Sequence, residues 1–333
     1  MPKTVLARLN VDPYIAAIAG VAGLASLVPV HDGGAVAMGH VAQWGIALLF
    51  FLHGAKLAPR AALAGARHWR LHTAVLLFTF VAFPAIGLTA RALAPHLLPS
   101  AVWDGVILLC VLPSTVQSSI AFTSIARGNV PAALCAATAS NLLGMLLTPL
   151  LAGLLLSAHG GFSVHAAADI AVQLLLPFLV GQLARPWIGD FLARRKQVLG
   201  LVDRGSILLV VYVAFSEGVT QGIWHQLDLG GLASLLAVDA GLLAAVLCLT
   251  TLASRLLGFS RADEVALVFC GSKKSMASGL PMATVLLAGQ SVGLMVLPLM
   301  LFHQLQLMAC ATLARRFGER ETVAIAVAPG LAR

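Results

Sequence analysis

Charge is what this sequence lacks. Only 10% of its 333 residues are Asp, Glu, Lys or Arg, where a soluble chain carries about 25%. With 59% hydrophobic residues and a mean hydropathy of +0.95, an ordinary water-soluble domain is excluded and a polytopic membrane protein is indicated. The net charge of +8 would point to nucleic acid in a soluble chain; here it reads as membrane-flanking charge. Cysteine is sparse too. Cys110, Cys135, Cys248, Cys270 and Cys310 all lie in apolar runs and form no CxxC, so neither a disulfide framework nor a zinc site is indicated. Enzyme signatures are missing: there is no HExxH, no GxSxG and no paired-aspartate diphosphate motif. A Ser–Lys dyad can be drawn from Ser272 or Ser275 with the neighbouring lysines, but a transporter is the better reading than an intramembrane hydrolase.

What is present is a series of long apolar runs. Ten spans are expected, near 13–30, 35–55, 71–93, 103–126, 130–157, 165–184, 205–223, 231–254, 263–288 and 291–313. Each can cross roughly 30 Å of hydrocarbon at 1.5 Å per residue. The N-terminal stretch imitates a signal peptide, but the next apolar run follows so soon that a first transmembrane helix fits better. The connections are short, so no soluble domain is inserted. The tail from Arg315 reads as a short segment with no module of its own.

Lysine and arginine test this topology. Alternate loops carry Lys3 and Arg8; Lys56, Arg60, Arg67 and Arg70; Arg127; Arg185, Arg194, Arg195, Lys196 and Arg204; Arg255 and Arg261; and Arg315, Arg316, Arg320 and Arg333. The opposite side has only Arg91, and Lys273 and Lys274 lie inside a span. By the positive-inside rule both termini are cytoplasmic, which suits a plasma (inner) membrane.

Ten spans suggest two halves of five, about 13–157 and 165–313, the second inverted because five is odd. The dividing loop, SAHGGFSVH, has neither Lys nor Arg. The halves echo one another: span four carries LPSTVQSS (112–119) and span nine carries CGSKKSMASGLP (270–281). Paired interrupted helices in inverted repeats point to a secondary transporter, and a broken backbone frees polar groups that water, an ion or a substrate must satisfy. A pair of kinked structural helices is the plainer alternative.

Lys273 and Lys274 are the sharpest feature. A lysine near the bilayer centre costs about 2.5–3.5 kcal/mol on insertion scales. Neighbours on a helix point about 100° apart, so both cannot face lipid. Either they line a cavity at the broken helix, or an ammonium is bonded to the free carbonyls of span four as glue. Ser114, Thr115, Gln117, Ser118 and Ser119 in span four, Thr138, Ser140 and Asn141 in span five, and Ser272 and Ser275 beside the lysines can coordinate a cation or bond a solute. Glu217 and Asp239 are possible charge partners or vestibule residues. Gln173, Gln182, His303 and Gln306 read as interhelical hydrogen-bonding residues. Pro84 is expected to kink span three, and ARGN (126–129) to form the turn between spans four and five.

LPSTVQSSIAFTSIARGNVPAALCAATASNLLG followed by CGSKKSMASGLPMA resembles the bile acid:sodium symporter superfamily, in its SBF-like branch. That branch includes bacterial proteins described as sodium-dependent transporters and the seventh vertebrate member of solute carrier family 10. The resemblance covers nearly the whole chain. It implies a panel of spans one, two, six and seven (about 13–55 and 165–223) and a core of the rest (about 71–157 and 231–313). Broken spans four and nine cross in the core, and substrate binds between core and panel. One departure matters. The sodium-coupled branch has a glutamate near the position of Phe269 and a glutamine near that of Lys273. A cation site that has lost a carboxylate and gained an ammonium repels sodium.

The expectation is therefore an all-α membrane protein of ten helices in two inverted five-helix repeats. It would move a small organic anion, with Lys273 or Lys274 replacing the coupling sodium. A fixed lysine would give uniport or exchange; a titrating one would couple to protons. Sodium-coupled symport is the alternative, and a non-transporting regulator or scaffold is another. No cofactor and no nucleic-acid partner are expected, beyond sodium or a proton as the coupling ion.

Overall fold

The computed structural model describes residues 13–56, 68–156, 164–220, 222, 228–286 and 292–327. Among the described residues there are helices and no strand. In chain order they are α1 (Pro13–Leu27), α2 (Asp32–Lys56), α3 (Trp69–Leu93), α4 (Ser100–Val111), α5 (Gln117–Ile125) and α6 (Val130–Leu156). There follow α7 (Val164–Arg194), α8 (Lys196–Thr220), α9 (Leu229–Leu256), α10 (Arg261–Gly271), α11 (Met276–Leu286) and α12 (Val292–Val327).

Six of the described helices, in α2, α3, α6, α8, α9 and α12, are long and apolar enough to cross a membrane. The chain is a polytopic membrane protein whose regular elements, among the described residues, are all helices. Expected spans four and nine fall below that length because each is broken. Helix α4 stops at Val111 and α5 begins at Gln117, while α10 stops at Gly271 and α11 begins at Met276. Pro113 lies in the first gap and has no N–H to continue a helix.

Several helices outrun the apolar spans. Helix α7 continues to Arg194 where span six was expected to end at 184, α8 begins at Lys196 rather than 205, and α12 runs to Val327, past Arg315. The expected short tail is thus helical at its start. Arg, Lys, Ala and Leu are good helix formers, and a helical ladder satisfies the backbone on both sides of the membrane boundary. The dividing loop lies, apart from its last two residues, outside the described residues.

The Pro84 kink takes a particular form. Residues Phe78–Ala82 of α3 are π-helical, and the Phe83 N–H reaches back to the Phe78 carbonyl. The next residue, Pro84, has no N–H. The Thr79 carbonyl is thereby left without a helical donor.

Helices α2 and α7 cross with backbone against backbone: a Cβ on Gly54 would overlap the Phe178 carbonyl, and one on Gly181 the Phe51 carbonyl. Helix α1 lies along α8, which also touches α2 and α12. The core is built around the breaks. Every residue from Gly105 to Thr115 and from Glu264 to Met276 is buried. By contrast Trp44, Leu183 and Trp187 are largely exposed, as a lipid-facing surface allows. ARGN is the turn expected: Arg127 has φ 55°, and Asn129 bonds the Asp263 side chain at 2.7 Å and, through its N–H, the Ala262 carbonyl at 2.9 Å.

Candidate functional site

The two breaks lie against each other and complete each other's hydrogen bonding. The Ser275 N–H donates to the Pro113 carbonyl at 2.8 Å. The Ser114 hydroxyl donates to the Cys270 carbonyl at 2.6 Å and the Ser119 hydroxyl to the Phe269 carbonyl at 3.0 Å. Each break is also clamped by the helix that follows it. Ser140 accepts the Ser114 N–H at 3.0 Å, while Asn141 donates to the Ser114 carbonyl at 2.6 Å. Gln306 on α12 accepts the Lys274 N–H and donates to the Lys274 carbonyl, both at 2.9 Å. A buried, unpaired peptide group costs roughly 1–3 kcal/mol, and these bonds remove that cost at each group they reach.

Lys274 is wholly buried, and its ammonium donates to three carbonyls: Cys110 at 2.6 Å, Leu112 at 2.8 Å and Thr79 at 2.8 Å. Each acceptor is free for a definable reason. The Thr79 carbonyl is released by the π stretch and Pro84. The Cys110 carbonyl loses both helical donors, because Pro113 has no N–H and the Ser114 N–H is turned to Ser140. The Leu112 carbonyl lies in the gap itself. The Phe83 ring lies 4.2 Å from the nitrogen. Hydrogen bonds to a charged donor contribute about 1.5–3 kcal/mol each, so three of them outweigh an insertion cost of about 2.5–3.5 kcal/mol.

Lys273, one residue away, is held differently. It too is wholly buried, yet its nitrogen has no hydrogen-bond partner. It sits over the Phe122 ring at 3.7 Å from the centroid and 5.5 Å from that of Phe269. A desolvated cation–π contact contributes about 2 kcal/mol, enough to offset much of the burial and leave three N–H groups free. Phe269 continues the ring contacts to Phe317, over which the Arg261 guanidinium lies at 4.2 Å.

The remaining polar residues separate into groups. Ser114, Ser119, Ser140 and Asn141 serve the broken backbone. Ser275 bonds Ser278 at 3.0 Å, and Ser278 donates to Asn141 at 2.8 Å. Thr115 and Ser118 bond each other. Ser272 is buried with its hydroxyl unpartnered. Thr138 is half-buried and takes no part in the network, and Gln117 is exposed. Glu217 is half-buried near the end of α8 and accepts no hydrogen bond from either lysine. Asp239 is wholly buried, and neither of its oxygens has a partner. Arg91, the lone cation expected on the far side, is paired with Asp104 at 2.7 Å. Gln306 bonds across helices as expected; the side chain of Gln173 lies outside the described residues. Reading side chains alone overlooked Thr79, whose carbonyl is the contributing group. It also overlooked Phe122 and Phe83, although aromatic rings near unexplained buried lysines are a usable signal.

Two broken helices set break to break, with lysines buried there, fit the class of carriers with discontinuous helices. The model of the SBF-like CPA transporter family matches residues 12–319; the chain belongs to this family. An uncharacterized protein of Pseudomonas aeruginosa is 53% identical, over 97% of this chain and 98% of its own length. The candidate symporter YfeH of Escherichia coli is 49% identical over 93% and 94%. Sodium/bile acid cotransporter 7 of Xenopus tropicalis is 28% identical over 91% and 90%. Membership supports a transport role rather than an enzymatic one.

Proposed function

We propose that this protein is a secondary transporter of a small organic anion, with the Lys274 ammonium standing where a coupling cation would sit. The observation that carries this reading is the three-carbonyl shell, drawn from α3 and the end of α4, around one buried ammonium. Main-chain oxygens freed by broken helices are the usual ligands of a hard cation in such carriers. Here the Lys274 ammonium fills the cation's place among those oxygens. The positive charge of both lysines favours an anionic solute.

In this reading the chain crosses the membrane ten times as two inverted five-helix repeats. Helices α1, α2, α7 and α8 form a panel and the others a core, and the two move against each other. Both termini face the cytoplasm, and the membrane is the bacterial inner membrane. The candidate pathway comprises Ser114, Thr115, Gln117, Ser118, Ser119, Thr138, Ser140, Asn141, Ser272, Lys273, Lys274 and Ser275. Coupling is then to protons or to the solute gradient alone. A second reading, sodium-coupled symport, is favoured by the name of the cotransporter relatives.

Uptake of a panel of organic anions into proteoliposomes tests this, with a sodium gradient, a proton gradient or neither imposed. The expected result is uptake that is indifferent to sodium, with altered ion dependence in the Lys274→Gln protein. Sodium-driven uptake by the unaltered protein would overturn the replacement.

A further inference from the structure

We propose that Asp239 is a proton-binding site of the transport cycle; this rests on the transport reading above and names the group that takes the proton. Asp239 lies on α9 about ten residues past Leu229, roughly 15 Å along the axis and so well inside an apolar helix long enough to cross a membrane. The side chain is fully enclosed and both oxygens lack a hydrogen-bond partner. An unpaired carboxylate is costly there and calls for a neutralising partner.

The surroundings favour a proton over a metal cation. Helix α9 is unbroken from Leu229 to Leu256, so its own carbonyls are engaged in the helical ladder. A metal cation needs several oxygens around it; a proton needs one. Helices α3, α10 and α12 pack on α9. Helix α3 has Arg70, His72 and Arg91 near its ends only, and α10 has Arg261, Asp263 and Glu264 in its first turn and Cys270 in its last. Helix α12 brings His303 and Cys310, with Arg315, Arg316 and Glu319 further along. Cys110 of α4, whose carbonyl accepts from Lys274, is a further titratable residue near Asp239.

The two lysines fit the task less well. A neutral Lys274 amine has two N–H groups for three carbonyls, so losing its proton strands one of them. A neutral Lys273 forfeits both ring contacts. Asp239 can take up or release a proton without breaking any hydrogen bond, which suits a group that must do so in every cycle.

Infrared spectra of the purified protein over a pH series, taken as the unaltered protein minus Asp239→Asn, read the site directly and do not require transport. The expected difference is a protonated-carboxyl band that shifts in heavy water and disappears as the pH rises. A carboxylate signal at every pH, or a band that responds to sodium instead, overturns the proposal. Asp239→Leu, which also removes the acid, serves as reference if the asparagine variant misfolds. In proteoliposomes with an entrapped pH dye, anion uptake should carry protons in the unaltered protein and not in Asp239→Asn, with anion exchange retained. Anion uptake without proton movement in the unaltered protein overturns the Asp239 assignment and leaves the transport reading standing. Absence of uptake under every gradient defeats the transport reading, and the infrared band then decides the site alone.

Discussion

Two helix crossings in this molecule are made by opposite means. Where α2 meets α7, contact comes from removing side chains: Gly54 and Gly181 each leave room for the other helix's backbone. Where the α4–α5 pair meets the α10–α11 pair, contact comes from breaking helices and reconnecting the loose groups across the gap, with two lysines buried in the process. The first is van der Waals contact between intact ladders, and it asks nothing of its neighbours except that they stay small. The second holds polar groups whose satisfaction depends on every partner being present. An apolar crossing can fasten helices, whereas a polar one can also hold a charge.

Removing a single group should separate the two. Lys274→Met strands three buried carbonyls at roughly 1–3 kcal/mol each, and loss of folded protein in detergent is expected by size-exclusion chromatography and thermal unfolding. Gly54→Ala forces the α2–α7 crossing apart, at about 1–3 kcal/mol for overpacking. Gly181→Ala should cost a similar amount. Together they should cost less than their sum, since helices already parted for one methyl accommodate the second. Lys273→Met should have the smallest effect. It leaves no acceptor unpaired and exchanges a buried charge for a thioether of similar length, so thermal stability should move by no more than about 1 kcal/mol and could rise. If Lys273→Met were as damaging as Lys274→Met, the distinction between the two lysines would fail.

Much of this was legible in the sequence. LPSTVQSS and CGSKKSMASGLP marked both breaks, and Pro84 marked the irregularity in α3, because proline removes a donor wherever it falls. The helix ends at Arg194, Lys196 and Val327 were not legible from hydropathy, which reports where hydrocarbon stops and not where the ladder stops. The difference between Lys273 and Lys274 could not be read either. Both are lysines in the same run, and what distinguishes them is which carbonyls and rings lie within reach. Serines read as cation ligands, such as Ser114 and Ser119, turn out to bond main-chain carbonyls of the opposite break; composition cannot tell a ligand from a cap.

The shell around Lys274 has a consequence for occupancy. A dissolved ion fills a site according to its concentration in the bath. A cation borne on the chain is present at a fixed effective concentration, set by the reach of its own tether. Diluting the salt on either side of the membrane therefore leaves this shell as full as before.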